Sequence, residues 1–216
     1  MTPAKRVFDL IIALGLTALL AVPFAVLLLV LLLTEGRPLF YVAERMRAPD
    51  RPFALWKLRT MRPAARNDGV SGGDKAGRIT RMGRFLRRSR ADEVPQLWNV
   101  LRGDMSFVGP RPPLRTYVER FPVLYARVLL SRPGITGLAT LAFHRYEERL
   151  LARCTSPEET DALYVRHCVP RKAALDLLYQ KRRTLCYDWI LMVETLRRAA
   201  GRPKSHPPRP AWPGPE

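Results

Sequence analysis

Apolar positions crowd the first part of the chain. From Leu10 to Leu33, 24 residues pass without a charge, preceded by Lys5 and Arg6 and followed by Glu35, Gly36 and Arg37. At about 1.5 Å per residue this stretch reaches roughly 36 Å as a helix, enough for a hydrocarbon core of about 30 Å. A cleaved secretory leader has a shorter apolar core ending in small residues, whereas Leu27 to Leu33 runs on unbroken into Thr34 and Glu35. Pro23 divides the stretch, removes a backbone donor and predicts a kink near mid-depth. Lys5 and Arg6 before the segment, and Arg37, Arg45 and Arg47 after it, all favour the cytoplasmic side. Both ends satisfy that preference only if the helix dips in at Pro23 and returns, so two arrangements stand: a re-entrant anchor and a single bent span. Asp9, the charge near the entry, is expected at the interface beside Lys5 or Arg6.

No second stretch reaches membrane length, and the remaining pattern predicts a mainly α fold with a few short strands. Phe53 to Leu58 is a strand candidate. Asn67 to Gly77, with four glycines, reads as a mobile loop. Ile79 to Arg90 places Ile79, Met82, Phe85 and Leu86 at helical spacing among six arginines. A short helix over Val94 to Leu101 is opened by Asp92 and stopped near Gly103. Ser156-Pro157-Glu158-Glu159 combines capping-box spacing with a first-turn proline, starting a helix that runs to about His167. Two further helices cover Pro170 to Arg183 and Leu185 to Ala199. Leu101, Val108, Leu114 and the pairs Leu129-Leu130, Leu150-Leu151 and Leu177-Leu178 are expected in the core. Three parts result: a membrane helix over 1–36, a cytosol-facing helical domain over 37–200, and a disordered tail over 201–216 with six prolines.

Composition adds a strong charge. The chain of 216 residues carries 37 Lys and Arg against 19 Asp and Glu, a formal +18, with 47% hydrophobic residues. A wholly disordered basic tail is excluded, and an anionic partner is required. Between Arg45 and Arg90 there are 14 basic and 3 acidic residues, and a basic face on anionic headgroups explains much of this. Nucleic acid is not the expected partner, because Trp56 and Phe85 do not interleave with the basic residues as on a stacking platform. Cys154, Cys168 and Cys186 form neither a metal pair nor a disulfide framework.

Candidate chemistry follows the basic block. Asp92-Glu93 is an adjacent carboxylate pair at the end of a run of arginines. Neighbours on a helix point about 100° apart, which favours a division of labour: one carboxylate attacks phosphorus and the other holds Mg²⁺, a hard ion that binds carboxylates together with substrate phosphates. Arg87, Arg88 and Arg90 are expected to favour the ionised form of Asp92. A helix start decorated with acids for its dipole is the alternative. Downstream, Gly103 to Pro113 presents Arg111 between two prolines, a pre-ordered phosphate grip. Arg132 to Gly137 is a second constrained turn whose amides are placed to approach a ligand.

Seven segments in order across residues 5 to 137 resemble the bacterial sugar transferase family, the monotopic phosphoglycosyl transferases. They are Lys5-Arg6-Val7-Phe8-Asp9, the proline-broken apolar helix, Lys57-Leu58-Arg59-Thr60-Met61, Arg78 to Arg87, Asp92 to Val100, Gly103 to Pro112 and Arg132 to Gly137. The resemblance implies transfer of a phosphosugar from a UDP-sugar donor to a polyprenol phosphate, UMP being released, with Mg²⁺ as cofactor. It implies that Asp92 is the nucleophile forming a covalent phosphosugar intermediate, that Glu93 is the carboxylate associated with the metal, and that Lys57 is the essential base of the K-x-R-T-M motif. Arg87, Arg111 and Arg59 fall at phosphate-binding positions, and Asp176 with Tyr179 is similar to a late D-x-x-Y element with a functional carboxylate. It also implies a re-entrant helix broken at Pro23, a lipid bilayer partner, a cytoplasmic-face location on the bacterial inner membrane, and an initiating role in surface glycan assembly.

The chain departs from the family pattern at three places. Val22 stands where Ser often precedes the proline, and Arg90-Ala91 stands where Ser-Leu is usual. After Gly137 the run Leu138 to Arg145 replaces W-A-Q-V-x-G-R, which opens the question of the donor sugar. The competing reading is a membrane-tethered basic adaptor for acidic partners or nucleic acid, in which the carboxylate pair is incidental.

Overall fold

Thr2 opens the first helix: its hydroxyl accepts from the Lys5 amide at 3.3 Å, and Pro3 occupies the first turn, where a missing N–H costs nothing. The structure, a computed structural model, describes residues 1–62, 73–199 and 201, with backbone only at 73, 74 and 76. Helix α1 spans Pro3–Glu35 and is continuous through Pro23, so the break expected there is not a change of element. It is long and apolar enough to cross a membrane.

One face of α1 lies on the rest of the protein. Ala13, with Ile12, Leu16 and Leu20 beside it, joins a core containing Val100, Met105 and Val108. Further along, Leu31 packs with Leu58 and Leu86. The opposite face, including Val7, Ile11, Leu14, Val22, Val26, Leu29 and Leu33, is exposed. Polar bonds tie both ends. The Lys5 ammonium meets Asp188 in a buried ion pair, and Arg6 donates to the carbonyls of Val100 and Leu101 at 2.6 and 2.7 Å. At the far end Arg59 donates to the Glu35 carbonyl at 2.7 Å and the Gly36 carbonyl at 3.0 Å, giving a cation to the orphan acceptors of the helix end.

Asp9 corrects an expectation. It is fully buried in the protein rather than paired with Lys5 or Arg6, and one carboxylate oxygen accepts from the Phe107 amide at 3.4 Å while the other has no hydrogen-bond partner. Lys5 bonds Asp188 and Arg6 bonds backbone, because the helix docks on the domain before reaching any interface.

An antiparallel hairpin follows, β1 (Phe40–Ala48) and β2 (Arg51–Leu58), with an irregularity between Met46 and Ala48. Only the second strand is legible as one in the sequence, since Glu44, Arg45 and Arg47 blur the alternation of the first. In this register Tyr41, Ala43 and Arg45 oppose Lys57, Leu55 and Phe53, so these six share one face. Helix α2 is Arg81–Ser89, shorter than expected because Ile79 bridges Met61 and Thr80 is the cap. A 3₁₀ turn, Ala91–Glu93, leads to α3 (Gln96–Arg102), ended by Gly103 at φ 91°.

Strands β3 (Ser106–Val108) and β4 (Gly134–Thr136) pair in parallel. Between them lie α4 (Arg115–Arg120) and α5 (Pro122–Val128). Gly109, Gly134 and Gly137 allow the backbones to touch: a Cβ on Gly109 would stand 2.1 Å from the Arg132 carbonyl oxygen. The Gly134 amide donates to Pro110 at 2.8 Å, so this turn uses its amide to hold the proline turn rather than a ligand.

Four helices complete the fold: α6 (Leu138–Leu151), α7 (Pro157–Leu163), α8 (Val169–Arg182) and α9 (Leu185–Ala199), with a π-type turn Tyr164–Cys168 joining α7 to α8. Ser156 accepts from the Glu159 amide at 3.1 Å as its spacing predicts. Helix α6 has no counterpart in the sequence reading, its apolar residues being broken by His144, Arg145, Glu147 and Glu148. Leu130 is exposed, against expectation, whereas Leu129 and Leu151 are buried. Most of the loop expected over 67–77 and the tail over 202–216 lie outside the described residues, and Gly73–Arg78 forms a 3₁₀ turn.

Gly109→Ala is expected to destabilise the fold by about 3 kcal/mol or more, because the obstacle is backbone and cannot swing away. Gly77→Ala, with nothing within 4 Å of the added carbon, should stay within about 0.5 kcal/mol. Thermal unfolding of the two detergent-solubilised variants compares them directly.

Candidate active site

The carboxylate pair is positioned by how α2 seats and ends. Gly83 lies against the Thr60 backbone, where a Cβ would come within 2.0 Å of the Thr60 oxygen. One turn on, Arg87 donates its Nε to the Thr60 hydroxyl at 2.9 Å, so the segment after β2 aims this guanidinium. Arg90 then closes the helix in the left-handed region at φ 62°, a conformation uncommon outside glycine. That reversal puts Asp92 and Glu93 on a tight turn with both side chains in a cleft of about 630 Å³.

The hairpin forms one wall. Its shared face brings Arg45 and Lys57 to the cleft beside Ala43 and Leu55. Asn99 fixes the hairpin relative to the pair: buried on α3, it accepts from the Trp56 amide at 3.1 Å and donates to the Ala54 carbonyl at 2.7 Å. The proline turn forms the next wall, anchored by the Met46 amide donating to Pro113 at 3.1 Å. Helices α6 and α8 form the far side with Thr140, His144, Glu147, Lys172 and Asp176.

Glu93 is the centre of this arrangement. Lys57 donates to its Oε1 at 3.0 Å, Arg90 approaches Oε2 at 3.3 Å, and Arg111 stands 3.7 Å from Oε1. Burial alone would raise its pKa, but Lys57, Arg111 and Arg90 outweigh burial and hold the carboxyl down at about 2. Burial also draws the Lys57 ammonium down, with Glu93 opposing it. We take the pair as ionised, since two arginines reinforce the negative charge.

Asp92 differs. Among the described residues its carboxylate makes no hydrogen bond and no salt bridge, although the residue is nine-tenths buried. Burial, then the neighbouring Glu93, raises its pKa, while Lys57, Arg87 and Arg111 pull it back. The arginines expected to ionise it are thus only partly those that face it, for Arg90 serves Glu93. Asp92 thus places on the cleft a desolvated carboxyl with no hydrogen-bond partner, beside fixed cations.

Five predicted residues therefore converge: Asp92, Glu93, Lys57, Arg87 and Arg111. Arg59 lies on the cleft wall, but its guanidinium is engaged by the end of α1. Asp176 is on the far wall, and burial pushes its carboxyl up to about 7 against the pull of Lys172. Its motif partner Tyr179 points elsewhere, donating to the Val108 carbonyl at 3.1 Å and to Asp188 at 2.6 Å. Pro23 lies in α1, away from the cleft.

Sequence reasoning missed Arg45, Thr60, Asn99 and His144. The period-two register opposite Phe53 would have found Arg45 had β1 been recognised. His144, remote from Asp92 in sequence, lines the same cleft and pairs with Glu148 at 3.3 Å; burial lowers its pKa.

Known proteins are similar to this chain in sequence. The profile of the family described as Bacterial sugar transferase matches residues 1–202. A UDP-glucose:undecaprenyl-phosphate glucose-1-phosphate transferase of Caulobacter vibrioides is 44% identical over 144 residues, 62% of this chain and 52% of that protein. A UDP-N-acetylgalactosamine-undecaprenyl-phosphate N-acetylgalactosaminephosphotransferase of Aeromonas hydrophila is 31% identical over 191 residues, 84% of this chain and 41% of that protein. With a sugar transferase of Bacillus subtilis, EpsL, identity is 39% over 137 residues, 63% of this chain and 67% of the relative. The match thus spans about two thirds or less of these relatives' own lengths.

The raised Asp176 carboxyl predicts a pH-dependent stability. A carboxyl raised in the folded state contributes stability that is complete below its unfolded pKa, near 3.8, and is lost as pH rises through about 7. Asp176→Asn should match the parent near pH 4 and exceed it above pH 7 by roughly 2–4 kcal/mol, read as the difference between two unfolding curves at each pH.

Proposed function

The chain belongs to the bacterial sugar transferase family, and from that premise we propose that it transfers a sugar 1-phosphate from a UDP-sugar to undecaprenyl phosphate and releases UMP. The substrate classes come from the activities of its relatives. The observation that carries the reading is the unpartnered Asp92 carboxylate in a cleft whose described lining has ten Lys and Arg against five Asp and Glu. A pair of linked phosphates suits that balance, and phosphoryl transfer depends on positioning and charge neutralisation more than on acid–base machinery.

Two displacements account for the product. An Asp92 oxygen attacks the phosphorus bearing the sugar, the bond from that phosphorus to the bridging oxygen breaks, and UMP leaves with the electron pair. A phosphate oxygen of undecaprenyl phosphate then attacks the same phosphorus; the carboxylate departs, Asp92 is restored, and a lipid-linked sugar diphosphate results. Arg87, oriented by Thr60, and Arg111, oriented by its flanking prolines, stabilise charge on the phosphoryl oxygens. Lys57 holds Glu93 ionised. The product suits the first step of surface glycan assembly.

Magnesium fits the donor set, with support from substrate. No group of three or more metal-ligating side chains occurs among the described residues, but Asp92 and Glu93 offer hard oxygens that donor phosphates would complete. Glu93, with Asp92 beside it, would hold the ion, which when bound neutralises phosphate charge.

The mode of membrane attachment is part of the proposal. Lys5 and Arg6 at one end of α1, and Arg59 at the other, bind both ends of the helix to one domain. With Ala13 and Leu31 also packed on that domain, α1 lies along it from end to end, which supports an anchor held on one face of the membrane rather than a helix that leaves the domain to cross. The exposed apolar face of α1 then meets acyl chains, and the domain lies on the cytoplasmic face of the bacterial inner membrane.

Asp92→Asn is expected to lower sugar-phosphate transfer by at least about 1,000-fold with membrane association intact; release of UMP at the parental rate would overturn the covalent mechanism. The assay incubates membranes with a panel of UDP-sugars and undecaprenyl phosphate, with and without Mg²⁺. A cysteine introduced at position 2 should resist a membrane-impermeant thiol reagent applied from outside, and labelling there would establish a spanning helix.

A further inference from the structure

The cleft continues beyond the carboxylate pair into a compartment between α5, α6 and α8, and three polar side chains line it without partners. Tyr125, Thr140 and Asp176 are each 8% exposed, and among the described residues none of their side chains makes a hydrogen bond or ion pair. Their polar atoms keep access to the cavity, for none is among the buried atoms sealed off without a partner. Polar groups held in a buried wall without a protein partner call for one from whatever fills the cavity. Three such groups on one compartment, walled otherwise by apolar side chains such as Val128 and Ala173, have the make-up of a small-molecule pocket.

The charges nearby define the occupant. Lys172 on α8 donates to both oxygens of Glu147, at 3.1 and 2.9 Å, and to the Tyr164 hydroxyl at 3.3 Å. It is therefore neutralised in place. The hydroxyls of Tyr125 and Thr140 and the carboxyl of Asp176 therefore offer the compartment open donors and acceptors, while the ammonium on α8 is already paired. Arg111 stands at the boundary, feeling both Glu93 and Glu147, so phosphates gripped at the mouth would direct what they carry inward.

We propose that this compartment receives the uncharged sugar of the donor and that Tyr125, Thr140 and Asp176 select it through hydrogen bonds to its hydroxyl groups. The assignment rests on the transfer reading above. It gives the α6 segment, where the chain departs from the usual family sequence, a role in choosing the sugar. A uronate would have to bury its carboxylate against the unpartnered Asp176 carboxyl in place of a hydroxyl group, and is selected against.

Binding separates the sugar from the nucleotide. The full chain in lipid nanodiscs is titrated with UDP, UDP-glucose, UDP-N-acetylglucosamine and UDP-glucuronate, first as the parent and then as Tyr125→Phe, Thr140→Val and Asp176→Leu. The first two substitutions keep the shape of the side chain. Each variant is expected to bind UDP within twofold of the parent, to bind the preferred neutral UDP-sugar at least tenfold more weakly, and to lose part of its discrimination against UDP-glucuronate. Equal weakening of UDP and UDP-sugar would overturn the proposal by placing the nucleoside in the compartment. Unchanged affinity for every ligand would overturn it by leaving the compartment unused. Failure of the transfer reading looks different: neutral UDP-sugars would bind selectively, yet undecaprenyl phosphate would release no UMP.

Discussion

Three pieces of backbone with no hydrogen-bond ladder in common meet at the carboxylate of Glu93. The hairpin contributes Lys57, the left-handed end of α2 contributes Arg90, and the proline turn contributes Arg111. A buried anion with three cations around it tolerates little rearrangement, because removing one partner leaves charge uncompensated in a poorly solvated place. The geometry of the cleft follows from this. Adjacent to the hub, Asp92 shares its field but none of its hydrogen bonds, which separates the carboxylate that organises the cleft from one left without a partner.

The supports of this hub are mostly uncharged and mostly backbone-directed. Asn99 pins the hairpin edge, Thr60 orients Arg87, and glycines let β3 and β4 approach until their main chains touch. Asn99 reaches peptide groups, Thr60 a guanidinium, and the glycines bring main chain against main chain. The arginines and carboxylates can then sit where attraction alone would not hold them, as Arg90 does in its strained conformation.

What the sequence made legible follows from range. Periodicity and caps reported α2, α7, α8 and α9, since those signals are local, and the Asp92-Glu93 pair stood out as a change of sign after a basic run. Strand β1 escaped because its cleft-facing side carries Tyr41 and Arg45 rather than aliphatic residues. Helix α6 escaped because its inner face is shared between the core at Phe143 and the polar lining at Thr140 and Glu147. Asp9 was misplaced for a different reason: its neighbour is the amide of Phe107, 98 residues away, and no local pattern encodes such a contact. The basic flanks of α1, legible as topology signals, serve in the structure as tertiary bonds.

The ion pair between Lys5 and Asp188 joins residues 183 apart. On a ribosome adding about 5–20 residues per second, the first helix emerges many seconds before the carboxylate that receives its ammonium. Lys5 must therefore stay hydrated until then, and the final seating of α1 awaits the emergence of α9. Docking of α1 onto the rest of the fold is thus completed only after the residues through α8 have been made.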